Sequence, residues 1–227
     1  MRKQASTGKL FAFEGIDGSG KSTQAGLLIQ KMTEEGYTVR AIDFPQYGKK
    51  SAGLVEEYLG GKYGSADEVG PQISSIFYAA DRYDLSFQIR EWLAKGFIVV
   101  TDRYVGSNMG HQGAKIASLQ KRQEFFKWLY DLEYGIFQIP KPTISLFLDV
   151  PARIAQELCE NPERRKKKKK DIHERDPKHF QKAEQAYRHA MRMFPNDFVT
   201  VKNMQSGKLL DPQEVHGRVW TKIENYL

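Results

Sequence analysis

Two rhythms of apolar and polar positions run along the chain. Continuous apolar stretches, Leu10 to Phe13, Gly96 to Tyr104 and the segment KPTISLFLDV ending at Val150, read as strands buried on both faces. Tyr37 to Phe44 alternates as a strand and stops at Pro45, and Phe198 to Val201 reads as a last short strand. Between them the period is helical. Lys21 to about Glu35 carries Leu27, Leu28 and Met32 on one face, with Gly36 as its stop. Further helices are predicted around Gly53 to Leu59, from Pro71 to Lys95, from Ser118 to Glu133, from Pro151 to about Glu160, from the Asp176-Pro177 cap to about Met193, and from Asp211-Pro212 to about Tyr226. Strands that alternate with helices predict a three-layer α/β fold: a five-stranded parallel sheet with helices on both faces, within a single domain over residues 1–227.

The long helix from Pro71 sets Ile73, Ile76, Phe77, Ala80, Asp84 and Phe87 near one face, which is the expected core side. Tyr78 and Arg82 then fall on the opposite face, one turn apart, where they act on something outside the core or form an exposed stacked pair.

After the first strand comes Gly15-Ile16-Asp17-Gly18-Ser19-Gly20-Lys21-Ser22-Thr23, which fits G-x-x-x-x-G-K-[ST] with a strand before it and a helix after it. Such a loop points its backbone N–H groups at a phosphate. Lys21 supplies a cation for the β/γ-phosphates and Ser22 a Mg²⁺ ligand. The loop implies a nucleoside triphosphate and leaves the acceptor open. Asp102, at the end of a buried strand, is either a second Mg²⁺ ligand or a structural partner of Arg103. Val105 to Gly113 is polar and Gly-rich and reads as a loop suited to lining a site; His111 within it is a hydrogen-bonding side chain, with no second His or Cys at metal spacing.

Composition changes this picture little. With 40% hydrophobic and 28% charged residues the sequence reads as a soluble globular protein without a signal peptide or membrane span. One cysteine, Cys159, excludes an internal disulfide and fits the cytoplasm. The seven basic residues from Arg164 to Lys170 account for the whole net charge of +7, so the basicity is one local feature.

FEGIDGSGKSTQ, DFPQYG, FYAADR, DRYVGSNMGHQGAK, LFLDV and the basic segment ending DIHERD stand in the order and spacing of the thymidylate kinases, a family the chain resembles over roughly residues 9 to 190. The resemblance implies a P-loop kinase fold with a mobile basic lid at about 160–175, transfer of the γ-phosphoryl group of ATP to dTMP with Mg²⁺, and a homodimer, for which Leu85, Ile89 and Trp92 offer an apolar face. It implies that Asp17 lies by the sugar 3′-hydroxyl, that Tyr78 stacks on thymine where relatives have phenylalanine, and that Arg82 donates to the base carbonyl. It gives Arg103 the acceptor phosphate and Ser107 and Asn108 the pyrimidine edge, with Phe44, Pro45 and Tyr47 in the acceptor loop.

No hydroxyl proton need be removed when a phosphate is the acceptor; the difficulty is bringing two anions together. Lys21, Arg103 and lid arginines supply the positive charge. Gly18 stands where some relatives carry an arginine, so Arg164 and Arg165 are the lid candidates, with Arg153 behind them. Gln46 and Tyr47 replace an arginine that helps many relatives hold the acceptor phosphate, and His173 replaces a tyrosine near the sugar. Competing readings are a deoxynucleoside kinase, for which Glu14 is the candidate base, an ATP-driven nucleic-acid-binding module that uses the lysine run, and an inactive nucleotide binder.

Overall fold

The computed structural model describes residues 7–161 and 178–227. Its centre is a parallel sheet in the order β2-β3-β1-β4-β5, formed by β1 (Lys9–Glu14), β2 (Val39–Asp43), β3 (Ile98–Asp102), β4 (Ile144–Asp149) and β5 (Phe198–Lys202). The five-stranded parallel sheet expected from the alternation is therefore present. Its middle strands are apolar on both sides because both sides are covered. Phe11, Phe13, Val100, Leu146 and Leu148 pack under α1 (Lys21–Glu34) and the C-terminal helix, while Leu10, Ala12 and Val99 pack under the helices of the other face. β1 lies at the centre between β3 and β4, so the loop that leaves it sits at the C-terminal sheet edge where crossovers diverge to either side.

Around the sheet run α2 (Gly53–Leu59), α3 (Ala66–Val69), α4 (Pro71–Ala94), α5 (Val105–Gly113), α6 (Leu119–Tyr130), α7 (Ala152–Glu160), α8 (His179–Met193) and α9 (Pro212–Ile223). The last is capped as its Asp-Pro start predicts: the Asp211 carboxylate accepts from Gln213 N and Glu214 N at 2.8 and 3.0 Å. A small antiparallel hairpin, β6 (Met204–Gln205) with β7 (Lys208–Leu209), turns at Ser206-Gly207.

Two expectations are overturned. The polar stretch from Val105 to Gly113 is not a loop but helix α5. Its glycines serve close approach: a Cβ on Gly110 would stand 2.2 Å from the Tyr187 ring, so α8 seats directly on the α5 backbone. The second concerns α4, whose faces are reversed. Ile73, Ile76, Tyr83 and Phe87 are exposed, while Ser74, Ser75, Ala79, Asp81, Arg82, Ser86 and Ile89 are buried. The inner face is polar because its side chains find partners there: Ser74 donates to Gln112, Asp81 accepts from Gln46 and Ser51, and Arg82 donates to Glu133. The dimer face expected from Leu85, Ile89 and Trp92 fails for the same reason, since these residues pack inward against the core beside β3.

Candidate functional site

β1 delivers Glu14 to the sheet edge, and the chain then turns through Gly15 to Gly20 into α1. Gly20, at φ 91°, is the N-cap of α1 and offers no side chain to its first N–H groups, which leaves them for an anion. Gly18 has a different reason for being glycine. A Cβ there would meet Ala155 O at 2.2 Å and Cys159 Sγ at 2.9 Å, because α7 rests on the loop. Asn203, just beyond β5, holds the loop from the other side through a 3.2 Å bond from its amide to Ser19 O. Nothing near Asn203 in sequence signalled this contact.

Lys21 is buried and folds back on the loop, donating to Gly15 O at 3.1 Å and Ile16 O at 2.9 Å. Burial, and Arg103 after it, push the ammonium down to about 8 against the pull of Asp17, Asp102 and Glu14. Ser22 is exposed in the first turn of α1, and Thr23 beside it is also open to solvent.

Asp102 ends β3 in register with Phe13, and its Oδ1 is a buried oxygen with no hydrogen-bond partner among the described residues. An orphaned carboxylate oxygen and an open hydroxyl, both at the mouth of the phosphate loop, are the hard donors that Mg²⁺ takes. The residues therefore fit the ion.

Next in the chain is Arg103, held at φ 69° with its N–H bonded to Phe13 O at 3.0 Å. This bend swings its guanidinium across the loop to an ion pair with Asp17. Burial would push the Asp17 carboxyl up, but the Arg103 guanidinium, with His111 and Lys21, holds it well below the usual carboxylate range. Arg103 Nη1 also lies 3.1 Å from His111 Nε2, whose Nδ1 is 3.0 Å from His179 Nε2. Arg103, His111 and His179 form one hydrogen-bonded chain beside Asp17. His111 is thus the hydrogen-bonding residue expected, and no metal-binding cluster of His, Cys, Asp or Glu occurs among the described residues.

Glu14 has no access to the cleft. It is fully buried and accepts from Tyr104 N at 2.9 Å, Ser107 Oγ at 2.6 Å and Tyr187 OH at 3.2 Å, and burial pushes its carboxyl up. It ties β1, α5 and α8 together. A base that must reach a substrate hydroxyl cannot be spent in this way, which removes the motive for the deoxynucleoside kinase reading.

Beside the loop opens a cleft of about 690 Å³. Asp17, Phe44, Pro45, Tyr47, Tyr78, Arg82, Arg103, Ser107 and Asn108, named from the sequence as the acceptor side, all line it. So do Leu59, His111 and Gln112; the last two fall in the Val105 to Gly113 stretch read as suited to lining a site, whereas Leu59 had no such signal. Gln46, the departure from arginine, points away from the cleft: its N–H and amide reach the Asp81 carboxylate at 2.9 and 3.1 Å and fasten the loop to α4. Tyr78 stands edge-on to Tyr58 with ring centroids 6.3 Å apart.

Arg82 corrects the face assigned to it. It is 2% exposed, and Glu133 takes its Nε at 2.8 Å and its Nη2 in a second bond. Glu133 lies in a π-helical turn, Asp131–Ile136, that continues α6. The sequence reading had it as the last residue of that helix. Arg153 lies on the solvent side of α7, paired with Glu157 at 2.8 Å, and is not among the residues lining the cleft. Arg164, Arg165, the lysine run and His173 lie outside the described residues.

The sequence profile of the thymidylate kinases matches residues 13–212. A probable thymidylate kinase of Pyrobaculum aerophilum is 36% identical over 146 residues, which cover 64% of this chain and 66% of that one. A thymidylate kinase of Caldanaerobacter subterraneus is 30% identical over 224 residues and 97% of both chains. The solved thymidylate kinase of Candida albicans superposes with a TM-score of 0.71 at 25% identity, covering 97% of this chain and 92% of that one. With the loop, the arginine-ended cleft and the sheet order in place as well, the chain belongs to the thymidylate kinase family.

Proposed function

We infer that the family's reaction, transfer of the γ-phosphoryl group of ATP to dTMP to give dTDP and ADP, takes place here between the Gly15–Ser22 loop and the cleft beside it. The observation that carries this reading is the position of Arg103: it bridges the two halves, paired to Asp17 of the phosphate loop while lining the cleft. ATP phosphates lie against the free N–H groups of the loop and α1. Lys21 exchanges its two loop carbonyls for phosphate oxygens. The dTMP phosphate takes Arg103, its sugar lies by Asp17, and its base lies between Tyr78 and the Phe44-Pro45 loop. Ser22 and Asp102 would hold Mg²⁺, which when bound neutralises phosphate charge. The acceptor oxygen is already anionic, so no side chain needs to act as base.

Arg164 and Arg165 supply the remaining cationic charge, and the exposed α4 face of Ile73, Ile76, Tyr83 and Phe87 is covered by a second copy of the chain. The reaction runs in the cytoplasm. No helix among the described residues is long and apolar enough to cross a membrane.

The test is an ADP-release assay with ATP, Mg²⁺ and a panel of acceptors. Turnover with dTMP well above that with dUMP, CMP, AMP and thymidine is expected. A rate on dTMP no better than on the others overturns the reading.

A further inference from the structure

Glu133 touches neither nucleotide in the reading above, yet it governs two groups that line the cleft. Arg82 has five N–H donors in a planar fork. Glu133 occupies the Nε edge and Nη2, so the Nη1 side is what remains for a ligand. Asn108 is set by the same carboxylate. Its Nδ2 lies 3.2 Å from Ser75 O and 3.5 Å from Glu133 Oε1, and both neighbours only accept. The amide nitrogen is thereby committed to the protein, and Oδ1 is left for the ligand. Arg82, Asn108 and Glu133 are each almost wholly buried, so none of these orientations is averaged by solvent.

We propose that Glu133 is a positioning residue that fixes one donor, Arg82 Nη1, and one acceptor, Asn108 Oδ1, at the base-reading end of the cleft, and so selects 4-oxo over 4-amino pyrimidines. The proposal rests on the reading of the cleft as the acceptor-nucleotide site. A thymine or uracil base presents an accepting O4 beside a donating N3–H, which match the donor and the acceptor. Cytosine presents an N4 amino donor beside an accepting N3, which meet the wrong partner at both positions. Two unpaired buried contacts reject an analogue far more strongly than a change of shape does. Because Arg82 can only donate, the site cannot invert while Glu133 holds it. Without the carboxylate the guanidinium is free to turn, and the Asn108 amide loses the longer of its two contacts while keeping Ser75 O.

The test compares kcat/KM for dTMP and dCMP in the parent, Glu133→Gln and Glu133→Asp, with folding checked by circular dichroism. The parent is expected to prefer dTMP by roughly a hundredfold or more. In Glu133→Gln the preference narrows by about tenfold or more, through a raised KM for dTMP, while KM for ATP stays within about twofold. Glu133→Asp, which keeps the charge but withdraws it by one methylene, shows the same narrowing to a smaller degree and carries the test if the Gln variant does not fold. A purely structural Glu133 would lower turnover of both acceptors in proportion and leave their ratio unchanged, and that result overturns the proposal. A parent that uses dTMP and dCMP equally also overturns it and leaves the kinase standing. A parent inactive on dTMP overturns the reading of the cleft, and this proposal with it.

Discussion

The Lys21 ammonium is bonded to its own loop, and its ionisation near pH 8 gives that arrangement a measurable consequence. Below that pH the free protein already carries the cation that ATP needs. Above it the side chain is neutral, and a polyphosphate must draw a proton onto it, because an adjacent anion raises the pKa of an ammonium. Proton uptake on ATP binding should therefore be absent near about pH 7 and approach one per site near about pH 9, with affinity falling over the same range. Calorimetry in two buffers of different ionisation enthalpy reads this directly; Lys21→Ala removes the uptake. At Arg103 the expected effect is kinetic. Arg103→Ala takes away the cation at the acceptor phosphate and should cost about 10²–10³ in kcat/KM for dTMP, with ATP binding close to the parent's in a direct titration.

Secondary elements here were legible in proportion to how local their causes are. β1, β3 and β4 are apolar runs, α1 begins where the phosphate loop ends, and α9 begins at Asp211-Pro212; each signal lies within a few residues of the element it marks. α5 was missed because three glycines in nine residues read as a loop, whereas in the fold their missing side chains admit the Tyr187 ring, Glu14 and Phe126. Gly110→Ala tests this. Helix propensity alone would make alanine the better residue, but overpacking against Tyr187 should destabilise the protein by about 1–3 kcal/mol, read as a lower urea midpoint at unchanged slope. The reversed faces of α4 have a similar origin. Periodicity locates an apolar stripe but does not say what covers it, and here the polar stripe faces inward because Ser74, Asp81 and Arg82 pair there with Gln112, Gln46 and Glu133.

Arg164→Ala and Arg165→Ala, assayed separately, should leave dTMP and ATP affinities near the parent's; one of them should lower kcat by about 10³, the effect of an arginine that meets the transferring phosphoryl group. Unchanged turnover in both would remove the two arginines from the mechanism. Phe87→Glu places a charge on the most exposed aromatic of the α4 face and should convert a dimer to a monomer by light scattering, whereas a parent that is itself monomeric would refute the assembly.

What the amino-acid order determined alone is what short stretches encode: a nucleotide-binding loop between a buried strand and a helix, and the alternation that demands a parallel sheet; the family resemblance added a set of residues that all line one cleft. Tertiary structure decided which groups act on which. Asp17 and Arg103 are 86 positions apart and Arg82 and Glu133 are 51 apart, so no local pattern announces either pair. Strand order and helix seating alone bring those charges within hydrogen-bonding distance. Whether a polar side chain faces water, a substrate or a buried counter-charge is a property of what packs around it, and that is set only when the layers close.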